Sequence, residues 1–502
     1  MLDRPAKLKE FQTYIDGKWV DAASGKTFQS SDPYTGQPWA VIPECDKADV
    51  DIAVEAAARA FESGPWPAMT ATARGKVLRR IAGLIEKHGE HLAQVEVRDN
   101  GKLISEMTAQ LKYMPEWFYY YGGLADKIQG AVVPIDRPEH FTYILKEPVG
   151  VCGFILPWNS PLMLAAWKMA PALAAGCTVV IKPSEYTSAS LLEFMRLVIA
   201  EADLPPGVVN VVTGFGAVAG EALVTHPKVA KVAFTGGTAT GARVNELAAK
   251  TFKKVSLELG GKSPNIVFDD CIIDDAVSGA ISGIFAATGQ TCIAGSRLLV
   301  QETIHDIFVE KLVAMAKQAR LGDPAKAETQ VGPVTTPPQY QKILGYIDIA
   351  KGEGAKCVLG GGPATAEEGG GKYFVKPTIF TGVDNKMRIA QEEVFGPVLS
   401  VIKFKDEEDA VRIANDVASG LGAGVWTQSV KRAHNMARRI RAGTVWVNTY
   451  RAVSFLMPFG GYKASGLGRE NGAEAIEGYL QSKSVWINNG PGGGNPFIMK
   501  TS

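Results

Sequence analysis

The sequence predicts an α/β protein: two doubly wound α/β domains plus a small β hairpin forming an arm. Three observations carry this expectation. Apolar runs alternate between strand-like and helix-like for most of the chain, glycine is in excess, and one amphipathic segment fits neither alternating series. At 502 residues the chain is long enough for two or three packed domains. Its 46% apolar and 21% charged residues lie near globular averages, which argues against a disordered or fibrous protein. The 54 glycines exceed the usual share of about 7% without a Gly-X-Y period, and so read as tight turns and close backbone approaches. Lysine and arginine number 53 against 52 aspartates and glutamates, a net charge of +1. No long-range field draws nucleic acid or an anionic membrane, and a small molecule is the expected partner.

Taken in order, Val50, Val54, Ala57 and Phe61 mark one helical face, and Val77, Ile81, Leu84 and Ile85 another. From Val149 the chain alternates: the strand VGVCGFIL, the helix PLMLAAWKMAPALAAG, the strand CTVVIKP, the helix SASLLEFMRLVIAEA and the strand VVNVVTG. The short GEALVTH, the strand KVAFTG, the helix ATGARVNELAAKT and the strand KVSLEL follow. Such alternation implies a mainly parallel sheet with helices on both faces. A second series starts near SPNIVFDD. In it Val277, Ala280, Ile281, Ile284 and Phe285 line a helix that Gly289 can end. RLLVQ, AKCVLGG, VLSVIKF, GAGVWT and TVWVN then read as strands between helical stretches. The two domains are expected to meet around Gly260–Gly261.

The segment DKIQGAVVPIDRPEHFTYILKE is amphipathic and hairpin-like, suited to pair with the late strand KSVWINN or with another subunit through an exposed edge. The expected division is 1–126 with 147–260, 261–465, an arm of 127–146 with 478–492, and a flexible tail over 493–502. Val149 to Trp167 carries no charge, but Pro157, Asn159 and Pro161 interrupt it, so a strand, turn and helix are expected rather than a membrane span. The N-terminal stretch lacks the apolar core of a signal peptide. Six cysteines without a C-x-x-C pair point to a reducing, cytoplasmic compartment.

Among those cysteines, Cys152 and Cys177 sit inside apolar β segments and read as core. Cys292 differs, because GQTCIAGSR places it in a loop between a helix and a strand, where a thiol can face a cleft. A structural reading stands beside the nucleophilic one, since a thiol with pKa near 8.5 needs local activation. Asn159 in LPWNSPL is either a turn-forming amide or a donor to a developing oxyanion. Glu258 in LELGGKSP is either a satisfied buried acid or a base at the carboxyl end of a sheet. Gly236 and Gly237 in FTGGTATG stand between strand and helix, where backbone N–H groups suit a phosphate. Lys182 and Glu185 in IKPSE could hold ribose hydroxyls or form a solvated loop. His88 and His91 lack partner ligands, so no metal site is expected, and no G-x-S-x-G elbow is present.

PWNSP, KPSE, FTGGT, LELGGKSP, GQTCIAGSR, EEVFGPV and VWVNTY occur in this order, and with YIDGKWV and PFGGYKASGLGRE they span nearly the whole chain. Together these stretches resemble the aldehyde dehydrogenase superfamily, in its hydrolytic, non-acylating group. The resemblance implies a Rossmann-like NAD-binding domain over 1–126 and 147–260, a catalytic domain over 261–465 and an oligomerisation arm. It assigns Cys292 as nucleophile, Asn159 as oxyanion donor and Glu258 as general base. Lys182 and Glu185 match residues holding the adenosine ribose, Gly236 and Gly237 the pyrophosphate turn, and Glu393 and Phe395 the nicotinamide ribose. Trp158 joins the residues contacting the cofactor. The family commonly has serine where this chain has Gly237, which removes a hydroxyl contact to phosphate. Glu185 favours NAD over NADP, because a carboxylate repels a 2′-phosphate.

The implied reaction oxidises an aldehyde to its acid through a thiohemiacetal and a thioester on Cys292. Ser160, where many relatives carry an aromatic ring, and the small Ala286 suggest a wide pocket for a branched, cyclic or polar aldehyde. Trp167, Tyr113, Trp117, Phe455 and Phe459 either line it or serve as core aromatics. Arg451 could pair with a substrate carboxylate, which makes a semialdehyde dehydrogenase the alternative. A CoA-acylating enzyme and a non-catalytic binding or structural protein are the remaining classes. A homodimer or homotetramer is implied.

Overall fold

The computed structural model describes Arg4, residues 7–492 and Phe497. The expected tail over 493–502 therefore lies outside the described residues apart from Phe497. Two large sheets organise the rest. The first has eight strands, and five at its centre are parallel, in the spatial order Lys254–Glu258, Val229–Thr235, Val151–Ile155, Thr178–Lys182 and Val209–Val211. Val151–Ile155 and Thr178–Lys182 are buried at every position, as expected of strands covered on both faces. Antiparallel strands close both edges: Gly466–Leu467 on one side, Thr13–Ile15 and Lys18–Val20 on the other.

From Val151–Ile155 the chain winds first toward Val209–Val211, then returns to add Val229–Thr235 and Lys254–Glu258 on the opposite side. The order reverses between Val151–Ile155 and Val229–Thr235, and a crevice opens at the carboxyl ends of strands where such a reversal occurs. The second sheet has seven strands, six of them parallel: Thr378–Thr381, Val398–Phe404, Arg297–Gln301, Pro264–Val267, Gly422–Trp426 and Thr444–Val447. Leu259 to Ser263 links the carboxyl end of one sheet to the start of the other. The first sheet's carboxyl edge thereby meets loops that enter the second sheet's strands.

Helices cover the sheets for reasons visible in their ends. Lys47–Glu62 starts with a capping box between Asp46 and Asp49. The long helix Ala71–Asn100 starts on the Thr70 side chain and ends at Gly101, whose φ of +75° is left-handed. Val149 to Trp167 folds as the strand Val151–Ile155, a turn and the helix Pro161–Ala175; among the described residues no helix is long and apolar enough to cross a membrane. His140–Pro148 pairs antiparallel with Leu480–Asn488 along its whole length, and Ala131–Val132 adds a short third strand.

Three local expectations need correction. The helix before Cys292 is Ile273–Phe285 and stops short of Gly289, because Ala287 and Thr288 already have φ of +54° and Gly289 follows at +70°. Three left-handed residues turn the chain there, and a Cβ on Gly289 would collide with the Gly396 carbonyl. SASLLEFMRLVIAEA is α-helical only over Ser188–Phe194 and widens into a π turn over Met195–Ile199. The helix Pro337–Gly352, the strand Thr378–Thr381 and a small sheet of Lys9–Glu10, Gln37–Pro43 and Thr27–Asp32 were not read from the sequence.

Candidate active site

Three cavities run end to end across the boundary between the sheets. The largest, about 800 Å³, follows the carboxyl ends of the first sheet's strands past Lys182, Glu185, Gly216 and Arg243. It shares Pro157, Trp158, Thr235, Gly236 and Gly237 with a middle cavity of about 190 Å³. The middle one shares Asn159, Leu164 and Cys292 with a third, of about 330 Å³, which opens on the other side. Cys292 thus stands where the second and third meet.

Parallel strands explain the convergence. Pro157 to Asn159 follow Val151–Ile155, Gly236 and Gly237 follow Val229–Thr235, and Lys182 and Glu258 end their own strands. The second sheet contributes from the entries to its strands: Cys292 before Arg297–Gln301, Glu393 and Phe395 before Val398–Phe404.

Cys292 is half-buried, and burial pushes its thiol up to about 12, with the Glu258 and Glu393 carboxylates adding to the shift. Backbone N–H groups of Cys292 and Ile293 work in the opposite direction. Asn159 is buried and anchored, its Nδ2 donating to the Gln290 carbonyl at 3.0 Å. One amide N–H is used there, and the second is left for a ligand in the cavities it lines.

Glu258 is buried, and neither carboxylate oxygen has a hydrogen-bond partner among the described residues. Burial raises its carboxyl well above the ordinary range; Glu470 adds to this, while Lys168 and Arg469 oppose it. Lys168 and Glu470, far apart in sequence, form a buried ion pair, and Lys168 Nζ also donates to Thr235 Oγ1 at 2.7 Å. Burial of this kind favours the neutral acid over the carboxylate, so the base form is held against the cost of desolvation. Sequence reasoning missed the Lys168–Glu470 pair because no local motif marks either residue.

In the largest cavity Lys182 is buried and lies 3.3 Å from Glu185. Burial pulls its ammonium below the ordinary value, and Glu185 partly restores it. Gly237 begins the helix Thr238–Ala249 without a side-chain cap, so first-turn N–H groups face the cavity that Ala239 and Thr240 line. A Cβ on Gly236 would meet the Phe234 ring at 2.5 Å, whereas one on Gly237 meets nothing within 4 Å. Glu393 accepts from the Gly261 N–H at 3.0 Å, and a Cβ on Gly260 would strike its carboxylate. Burial raises the Glu393 carboxyl against the effect of that N–H. Phe395, at φ +58°, meets Trp158 edge-on at 5.3 Å. Its carbonyl is held by Gln339, which sequence reasoning also missed.

The third cavity is walled by Tyr113, Trp117, Ser160, Met163, Trp167, Arg451 and Phe459 among others. Trp117 stacks on Trp167 at 5.9 Å, and Phe459 meets Trp167 at 5.1 Å. Phe455 packs behind this wall against Tyr113, Trp117 and Tyr120. Ala286 lies at the end of the preceding helix, outside the lining residues. Arg451, at φ +65°, uses one guanidinium N–H on the Ser282 carbonyl at 3.0 Å. Lys102, unmarked in the sequence, also lines the cavity.

The sequence profile described as Aldehyde dehydrogenase family matches residues 19–485. A relative from Acinetobacter baylyi, (Z)-2-((N-methylformamido)methylene)-5-hydroxybutyrolactone dehydrogenase, is 47% identical over 482 residues, covering 96% of this chain and 97% of its own. A solved betaine aldehyde dehydrogenase from Staphylococcus aureus in complex with NAD+ is 41% identical with a TM-score of 0.95, covering 97% of both chains. The NAD+ complex of an aldehyde dehydrogenase from Bacillus cereus is 46% identical with a TM-score of 0.93, covering 96% of this chain and 97% of that one.

Proposed function

The chain belongs to the aldehyde dehydrogenase family, and we propose that it oxidises an aldehyde to the carboxylic acid with NAD through a covalent intermediate on Cys292. The observation that carries the reading is the position of Cys292, flanked by Asn159, at the junction of two cavities with Glu258 on the wall of one of them. The large cavity suits a dinucleotide. Lys182 and Glu185 would hold the adenosine ribose, the Gly236–Gly237 turn the pyrophosphate, and Glu393, Phe395 and Trp158 the nicotinamide end. Glu185 disfavours a 2′-phosphate, so NAD is preferred to NADP. When bound, NAD supplies the hydride acceptor.

The Cys292 thiol gives up its proton to water and its sulfur bonds to the aldehyde carbon. The resulting oxyanion accepts hydrogen bonds from the free Asn159 amide N–H and the Cys292 backbone N–H, which bind the charged oxygen more strongly than the neutral carbonyl. Loss of hydride from that carbon leaves a thioester on Cys292. Glu258, in its carboxylate form, takes a proton from water as the oxygen attacks the thioester carbon. The carbon–sulfur bond breaks, the Cys292 thiolate returns, and the acid leaves. Burial raises the Glu258 carboxyl, so its carboxylate form is a stronger proton acceptor in this step than an exposed one.

The domain division at 1–126 with 147–260, 261–465 and the arm 127–146 with 478–492 belongs to the same reading. The exposed apolar side chains Phe141, Leu145, Trp486 and Ile487 on the arm support assembly into a homodimer or homotetramer. Six unpaired cysteines fit a reducing cytoplasm. Measuring NADH formation over a panel of aldehydes, with and without CoA, tests the proposal. One acid per NADH without CoA is expected. NADH only with CoA would make the enzyme acylating, and none under either condition would make it a non-catalytic protein.

A further inference from the structure

The substrate-side cavity holds a cation that the steps above leave unused. Lys102 follows the long helix Ala71–Asn100 and is 6% exposed, and its Nζ donates to Ser160 Oγ at 2.7 Å. Ser160 begins the helix Pro161–Ala175 but does not cap it with its side chain. Its oxygen accepts from Lys102, so its own O–H is left to donate. An ammonium carries three donors, and Ser160 takes one of them. Glu96 and Glu106 lie close enough to Lys102 to favour its charged form, although burial pulls the other way. Glu106 is itself fixed by the Ala287 N–H at 2.6 Å. Glu106 is the larger of the two influences, because burial pushes the Glu96 carboxyl up to about 7. With an acid already facing it, the cation is suited to a neutral acceptor better than to an anion.

The rest of the wall is largely apolar, with Tyr113, Trp117, Met163 and Phe459 prominent. Gln110 also lines it, and its buried Oε1 has no hydrogen-bond partner among the described residues. A buried acceptor left unpaired is costly, and a hydroxyl proton from a ligand would satisfy it. Ser160 adjoins Asn159 in the chain and lines the same cavity as Cys292.

We propose that Lys102 and Ser160 determine specificity by hydrogen-bonding a hydroxyl on the carbon next to the aldehyde, with Gln110 accepting its proton, so that 2-hydroxyaldehydes are the preferred substrates. This rests on the proposed aldehyde oxidation at Cys292.

Lactaldehyde and 2-methylpropanal test it, because they differ only by a hydroxyl in place of a methyl. A hydrogen bond to a charged group predicts a ratio of their kcat/KM values of about 10 to 100 in favour of lactaldehyde for the unaltered enzyme. In Lys102→Met and Ser160→Ala the ratio is expected to fall to within about threefold of one, the loss carried by the KM for lactaldehyde rather than by kcat. Lys102→Met leaves the buried acids Glu96 and Glu106 without their cation and is at risk of misfolding; Ser160→Ala removes a single oxygen and keeps the test decisive. A ratio near one in the unaltered enzyme, or an unchanged ratio in Ser160→Ala, overturns the proposal while 2-methylpropanal turnover still supports aldehyde oxidation. Preference for 4-oxobutanoate over lactaldehyde, abolished by Arg451→Ala, overturns it in favour of a carboxylate site. No oxidation of any aldehyde removes both readings.

Discussion

Replacing Gly237 by serine should tighten cofactor binding, by an amount the local geometry sets. Gly237 has φ −69° and ψ 146°, an extended conformation open to any residue, and a Cβ there meets nothing within 4 Å. Serine therefore enters without strain. As the N-cap of Thr238–Ala249 it gains a few tenths of a kcal/mol in stability over glycine. Its hydroxyl can also donate to a phosphate oxygen, an interaction worth about 1.5–3 kcal/mol when well formed. The position is exposed, so the low end applies, and about 1.4 kcal/mol corresponds to a tenfold lower Kd. Titrating NAD against tryptophan fluorescence, with Trp158 on the cavity wall, reads the change. Gly236→Ser is the control: its Cβ would meet the Phe234 ring at 2.5 Å, so binding should weaken. Weaker binding in Gly237→Ser, or no loss in Gly236→Ser, would refute the reasoning.

Other outcomes follow from the same site. Asn159→Ala removes an oxyanion donor and should lower kcat about 10²–10³-fold, measured by NADH formation at saturating substrate; a loss under about threefold would remove Asn159 from that role. Gly260→Ala pushes a methyl group into the Glu393 carboxylate and breaks its bond to the Gly261 N–H. The KM for NAD should rise about tenfold, by the loss of one hydrogen bond to a charged group, and an unchanged KM would contradict this. Burial raises both the Cys292 thiol, to about 12, and the Glu258 carboxyl. Each reacts in its deprotonated form, so alkylation of Cys292 by iodoacetamide in the cofactor-free enzyme should keep climbing to about pH 10, above the ordinary thiol value. A plateau near about pH 8 would mean that burial does not dominate.

The first sheet was legible because Val151–Ile155 is apolar throughout and Thr178–Lys182 is apolar from Val179 to Ile181, with glycine or proline near their ends. Pro337–Gly352 was not, since its buried face rests on sparse positions, Ile343, Ile347 and Ala350, behind two prolines. The end of Ile273–Phe285 was misread because Gly289 invites a helix stop, whereas the turn begins earlier to pass the Gly396 backbone. That Asn159, Glu258 and Cys292 belong together came from resemblance, because no local periodicity brings such distant positions to one cavity. Lys102 shows the limit most clearly. In DNGKLIS nothing marks it, and only the approach of Ser160 in three dimensions turns it toward the substrate cavity.

Covalent chemistry at the Cys292 sulfur is the step on which aldehyde oxidation here depends. Glu258→Gln enzyme mixed with aldehyde and NAD, quenched in acid and digested, should yield the peptide carrying Cys292 with an acyl group attached. The account predicts that adduct, formed with a burst of NADH before turnover slows. NADH produced at the full rate with no adduct, or with the acyl group on another cysteine, would contradict it.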